Sequence, residues 1–305
     1  MKSKIEETIY SNLVEGTKES ILAVLEFASL NASDQSAMDA LLSSCNHYMI
    51  NEVGKDNFLT PLSIVPKEKG LAYYMTNYIL ATLSSAKDTD SRKTVFDEII
   101  YFVSEYEDSA GKIISENQLR NLLSRIDEFG LTDGIIFNKY NRPLGFSIIP
   151  YMHSSNATYS PALHIMGCHK VRDEVNPEFI VLHQLGHVYR FCLSGDMESL
   201  RVPKSFMLPL RLAFSEEVQE AEPESLAELF ADSFSIALAF ENEYTETVPF
   251  CSVMHKMHQE MLYRYFKMLV HEPGLADSMD FWKNEERVME IKNILRKYGE
   301  INGSI

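Results

Sequence analysis

Val181-Leu182-His183-Gln184-Leu185-Gly186-His187 sets two histidines four residues apart in an apolar frame. On a helix each residue turns by ~100° and climbs ~1.5 Å, so positions i and i+4 stand one turn apart on one face and both imidazoles can reach one ion. That is half of a zinc site. Just upstream, Asn176-Pro177-Glu178 offers an N-cap followed by proline at the first helical position, which predicts a helix opening there and carrying both histidines. Gly186 has no Cβ and would let another backbone approach this helix closely.

Working outward, the residues ahead of this helix read as strands. Ile135-Ile136-Phe137 and Phe146-Ser147-Ile148-Ile149 flank Tyr140-Asn141-Arg142-Pro143 and predict a β-hairpin, and Pro161-Ala162-Leu163-His164-Ile165-Met166 predicts a third strand. Before Gly130 the chain reads as a series of helices. A first segment holds Ile9, Leu13, Ile21, Leu22, Leu25 and Phe27 in rough helical phase, and others run over 34–50, 70–85, 91–106 and 115–129. Ser115 with Gln118 three residues on fits a capping box. After Ser194 the pattern is mostly helical again, with amphipathic stretches at 250–270 and 280–298 and a frayed tail at 301–305. The expected class is α+β: a helical region over 1–130 of unassigned role, then a domain over 131–305 with a small sheet and a histidine helix.

Composition narrows the partners. The 305 residues are 45% hydrophobic, enough for a substantial core, and 28 Lys+Arg against 44 Asp+Glu give a net charge of −16. That balance argues against nucleic acid or an anionic membrane surface as the main partner. The start lacks the apolar core of a secretory signal, and no apolar run approaches the ~20 residues of a membrane span. Cys45, Cys168, Cys192 and Cys251 form no CxxC pair and read as free thiols in a reducing compartment. A cytoplasmic location is the expectation, or export without a cleavable signal. The acidic run at 215–222 reads as a solvated face.

The pattern His183-x-x-x-His187 resembles the HExxH signature of zinc metallopeptidases, in which the residue after the first histidine is the general base. Here that residue is Gln184. Downstream, Glu228-Leu229-Phe230-Ala231-Asp232 resembles the ExxAD segment of the gluzincin branch, where a glutamate on a second helix completes the metal cage. Continued through Ser233-Phe234, it is also similar to the E-x-F-A-acid-x-F stretch of the anthrax lethal factor-like group. That group places a tyrosine seven residues before its glutamate, where this chain has Ala221. The likeness covers Asn176 to Phe234.

The resemblance implies a zincin-like domain and a zinc-dependent endopeptidase acting on a protein or peptide. His183, His187 and Glu228 would ligate zinc, with Glu224 as a substitute ligand one turn earlier. Asp232 would accept the free N–H of His183 and fix its tautomer. Gln184 would hold the metal's water by hydrogen bonds but could not take its proton, so hydrolysis would be strongly impaired. His255 and His258, followed by Tyr263 and Tyr265, are the candidates for stabilising the oxyanion. Ala162, Leu163 and His164 would lie on the strand that pairs with an extended substrate. Gln184 reads either as a natural loss or as a deliberate Glu-to-Gln change, and retention of the other site residues favours the latter. The alternative is an inactive zincin-like peptide-binding or regulatory protein, its amino-terminal helices engaging a partner.

Overall fold

A computed structural model describes residues 3–54, 63–86, 88–132, 143–155, 157–194, 200–214, 222–239 and 256–298. Contacts divide the chain into two compact units, Met1–Gln118 with Asn141–Asp173, and Leu119–Tyr140 with Glu174–Ile305. This differs from one cut between 130 and 131. The sheet strands belong with the amino-terminal helices, and the dividing line falls inside a helix.

In the first unit, α1 (Lys4–Glu15) starts at a Ser3/Glu6 capping box and stops at Gly16, whose φ of 66° suits a residue without Cβ. Thr17 then caps α2 (Lys18–Leu30), so the first apolar segment is two helices. Asp34 caps α3 (Gln35–Tyr48), which runs on into a π-helical turn at Met49–Val53. Next come β1 (Ser63–Val65), α4 (Lys67–Ser85) and α5 (Thr89–Ser104), the last capped by Asp88. α6 (Glu116–Glu128) carries the dividing line. Its expected capping box forms, with Ser115 N–H donating to Gln118 Oε1 at 3.0 Å and Gln118 N–H to Ser115 Oγ at 3.2 Å.

The sheet holds β2 (Gly145–Met152), β3 (Ala157–Ser160) and β4 (Ile165–Lys170) in the order β1-β2-β4-β3. β1, β2 and β4 are parallel, and β3 is the antiparallel edge. Three expectations change here. The region 1–130 is not wholly helical, because Ser63–Val65 is a strand. At three residues followed by Pro66, it is too short to show a period-two pattern. The hairpin partner of β2 is replaced: Gly145–Ser147 has parallel neighbours on both sides, Ser63–Val65 and Ile165–Gly167, while residues 135–137 lie outside the described residues. The third strand begins four residues later than read, and 161–164 forms the turn into it.

α4 lies on β2 at backbone distance. A Cβ on Gly70 would fall 1.6 Å from the Ile148 carbonyl oxygen, and Ser147 Oγ donates to the Gly70 carbonyl at 2.5 Å. The core of this unit gathers apolar faces of α1 to α5 with Val65, Ile149 and Ile165 of the sheet.

The second unit is helical: α7 (Pro177–Ser194), α8 (Met207–Phe214), α9 (Pro223–Ala239), α10 (Lys256–His271) and α11 (Glu285–Lys297). α9 packs against both α7 and α10. Its inner face inserts Phe230 and Phe234 among Phe206, Tyr189 and Phe266, all buried. The chain is thus a mixed α+β protein with a small four-stranded sheet. Among the described residues, no helix is long and apolar enough to cross a membrane.

Candidate metal centre

α7 opens as its sequence predicts, with Glu178 N–H donating to Asn176 Oδ1 at 3.0 Å ahead of Pro177. From that start, 183, 186 and 187 fall on one stripe. On α9, 228, 231 and 232 repeat the same i, i+3, i+4 spacing, and Phe230 and Phe234 flank that stripe and enter the aromatic core. The two stripes face each other through their smallest members. A Cβ on Gly186 would stand 2.7 Å from Ala231 Cα and 3.0 Å from its carbonyl oxygen. With glycine there the two helix backbones touch, and the polar side chains on either side of the contact converge.

His183 Nδ1 lies 2.8 Å from Asp232 Oδ1, which orients the ring and turns Nε2 toward Glu228. His183 Nε2 is 3.2 Å from Glu228 Oε2, His187 Nε2 is 3.4 Å from Glu228 Oε1, and the two Nε2 atoms are 3.1 Å apart. The rings meet nearly at right angles, 81° between planes. Zinc–nitrogen bonds of about 2.0–2.1 Å in a tetrahedron place neighbouring ligand atoms about 3.3 Å apart, a spacing the two Nε2 atoms match, while each of them meets a different oxygen of Glu228. One ligand atom from each of the three residues lies within 4.8 Å of the others, and they are the metal-competent group among the described residues. Glu224, on the exposed first turn of α9, is not part of it.

The electrostatics agree with a cation position. Burial would pull the His183 imidazole down, but hydrogen bonds to Asp232 and Glu228 outweigh it and hold the group up at about 9. Hydrogen bonds from His183 and His187 hold the Glu228 carboxyl well below the usual carboxylate range. The histidine side chains are 16% and 18% exposed and Glu228 is 60% exposed, so the cage is walled by imidazole and open on the carboxylate side. Gln184 follows His183 and is half-buried.

Ala162, Leu163 and His164 occupy the β3–β4 turn of the first unit. Leu163 and His164 are buried, and His164 takes a φ of 51° with Nδ1 2.8 Å from the Tyr159 hydroxyl. The strand they precede, β4, is flanked on both sides by β2 and β3, so it offers no free edge for an added strand. His255 lies outside the described residues. His258 is half-buried on α10. Tyr265 is buried and its hydroxyl lies 2.9 Å from Ser205 Oγ, a core role, while Tyr263 packs edge-on against Phe129. Cys45 and Cys168 are free and buried and Cys192 is free and half-buried; Cys251 lies outside the described residues.

One neighbour escapes the sequence reading. Arg190, three residues past His187, is buried, and that burial lowers its pKa, an effect Glu228 offsets only in part. Its signal was positional: it continues the stripe of 183 and 187. No family model matches this chain, no curated protein is similar to it, and no solved structure matches it.

Proposed function

We propose that the chain is a zinc peptidase of the gluzincin type in which Gln184 occupies the general-base position, so that it holds metal and peptide but cleaves poorly. The observation that carries this reading is the convergence of the His183 and His187 Nε2 atoms and the two Glu228 carboxylate oxygens at 3.1 to 3.4 Å, braced by Asp232. Zinc bound there would supply a Lewis acid and a water of lowered pKa. The chain's own residues do the rest. Asp232 keeps the His183 Nδ1–H occupied, so that Nε2 presents its lone pair. Glu228 adds the negative charge on the open side. The Gln184 amide can donate to and accept from a bound water but has no basic site to take its proton.

Elemental analysis of the purified full-length protein should give one zinc per chain, lost in His183→Ala. A Gln184→Glu variant should hydrolyse peptides in a chelator-sensitive way. A zinc-loaded variant that cleaves nothing across a broad peptide library would sink the enzyme reading.

Gln184 itself favours a second reading, a peptide-binding or regulatory protein that keeps the cage without the chemistry. It predicts that the native gene encodes glutamine at 184 and that Gln184→Glu gains no activity. A bound peptide trapped on the glutamine form would fit either reading, so the gene and the variant decide.

A further inference from the structure

Within the first unit, residues 105–112 run on from α5 across the end of the sheet, where two isolated bridges hold them, Glu107 to Met152 and Lys112 to Val171. Of these residues only Tyr106 is buried. Its ring centre lies 5.2 Å from that of His153 and 5.2 Å from that of His169, and the two imidazoles are 5.4 Å apart. The stretch is a strap whose one buried anchor rests on a pair of histidines.

Neither imidazole is set to take a proton. Thr158 Oγ1 donates to the Tyr74 hydroxyl at 3.1 Å and so accepts from His169 Nε2 at 2.9 Å. That leaves His169 Nδ1 as a bare lone pair, buried and, among the described residues, without a partner. His153 Nδ1 accepts the Ser155 backbone N–H at 3.2 Å, a bond that a proton there would displace. The Tyr106 hydroxyl bonds to neither ring. The charged groups around the pair are exposed Glu105, Glu107 and Asp108 of the strap, Lys18 of α2, which donates to the Ser104 and Tyr106 carbonyls, and Lys170 of β4, which donates to the Ser109 carbonyl and stands 3.7 Å from Asp108. α4 adds the Tyr74 and Tyr78 hydroxyls, and α5 adds Phe102, its ring 4.2 Å from that of His153. Among the described residues no carboxylate is hydrogen-bonded to either imidazole. Aromatic faces return only part of the hydration that a buried imidazolium loses.

We propose that residues 105–112 form an acid-released strap: protonation of His153 and His169 lifts it from the end of the sheet and bares Phe102 and Tyr106, while the helices around it stay folded. The proposal needs neither metal nor peptidase activity. Burial holds both imidazoles below their ordinary value, His169 at about 3. The closed strap therefore refuses protons that the open one accepts below about pH 6.5, and opening becomes easier as pH falls. For His169 alone the open fraction should rise about 25-fold between pH 7 and pH 5, and His153 adds to that.

Hydrogen exchange of the full-length protein at pH 7, 6 and 5, divided by the intrinsic rate at each pH, reads the opening directly. The backbone amides of Glu107, Lys112, Met152 and Val171, which make the two bridges, should gain about 25-fold or more, and those of Leu13 and Leu25 inside α1 and α2 should not change. His169→Gln should remove most of the gain. Exchange that ignores pH, a gain shared equally by Leu13 and Leu25, or a gain that His169→Gln leaves intact overturns the proposal. Should His169→Gln fail to fold by circular dichroism, His153→Gln must lower the gain or the proposal falls.

Discussion

Among the described residues there are two close histidine pairs, one in each unit, and they behave as opposites. His183 and His187 have ring centres 4.7 Å apart, and His153 and His169 have theirs 5.4 Å apart. Distance hardly separates them. The first pair meets two carboxylates, Asp232 and Glu228, and opens toward solvent on the glutamate side. The second sits among Phe102, Tyr106 and hydroxyls, with Thr158 Oγ1 2.9 Å from His169 Nε2 and Ser155 Oγ 2.7 Å from His153 Nδ1. Among the described residues, buried His169 Nδ1 has no hydrogen-bond partner. Burial, then the neighbouring His153, pushes His169 down to about 3, while His183 stands at about 9. Carboxylates and an open side, rather than proximity of imidazoles, set the candidate cation site apart from the buried pair.

The largest effect that would sharpen this contrast is catalytic. Gln184→Glu should raise zinc-dependent peptide hydrolysis by ~10²- to 10⁴-fold, the usual share of general-base catalysis. His169→Gln should leave zinc content unchanged, and a loss of zinc there would erase the distinction between the pairs. Next, Asp232→Ala should weaken zinc binding by ~10- to 100-fold in competition with a chromophoric chelator, since His183 loses the partner that fixes its tautomer. Unchanged affinity would show that the carboxylate is not what sets the first pair apart.

Gly186→Ala would force apart the backbones that bring the two stripes together. Urea unfolding should report a loss of about 1–3 kcal/mol, with metal uptake falling alongside. The remaining effect belongs to the second pair and is confined to acid pH. The unfolded chain takes up a proton near pH 6.5 that buried His169 refuses until about 3. This histidine's contribution to stability is therefore complete above pH 6.5 and is lost as pH falls, by at most ~1.4 kcal/mol per pH unit. His169→Gln should flatten that acid limb in pH-dependent unfolding of the metal-free protein.

The convergence of His183, His187, Glu228 and Asp232 was legible in the sequence because its parts are local. An Asn-Pro helix start, two residues one turn apart, and a glutamate one turn from an aspartate all repeat at the period of the helix that carries them. Gly186 announced a close approach, and Ala231 proved to be its counterpart. The sheet was less legible. Ser63–Val65 is too short for alternation, and β4 follows a turn made by apolar residues, with non-glycine His164 at positive φ. No rule of strand composition places a left-handed histidine before a buried strand. The 153/169 pair depends on β2 and β4 lying side by side, which spacing along the chain does not encode.

The Gly186–Ala231 contact also defines how small a piece of this protein carries the site. Two segments of five residues, His183 to His187 and Glu228 to Asp232, hold all three proposed ligands, the carboxylate that orients one of them and the two small residues that set the spacing. For protein design this is a portable unit. Grafted onto any antiparallel or crossing helix pair close enough to need a glycine opposite an alanine, it should carry its geometry with it, and a scaffold whose helices stand further apart should receive the same ten residues without the centre.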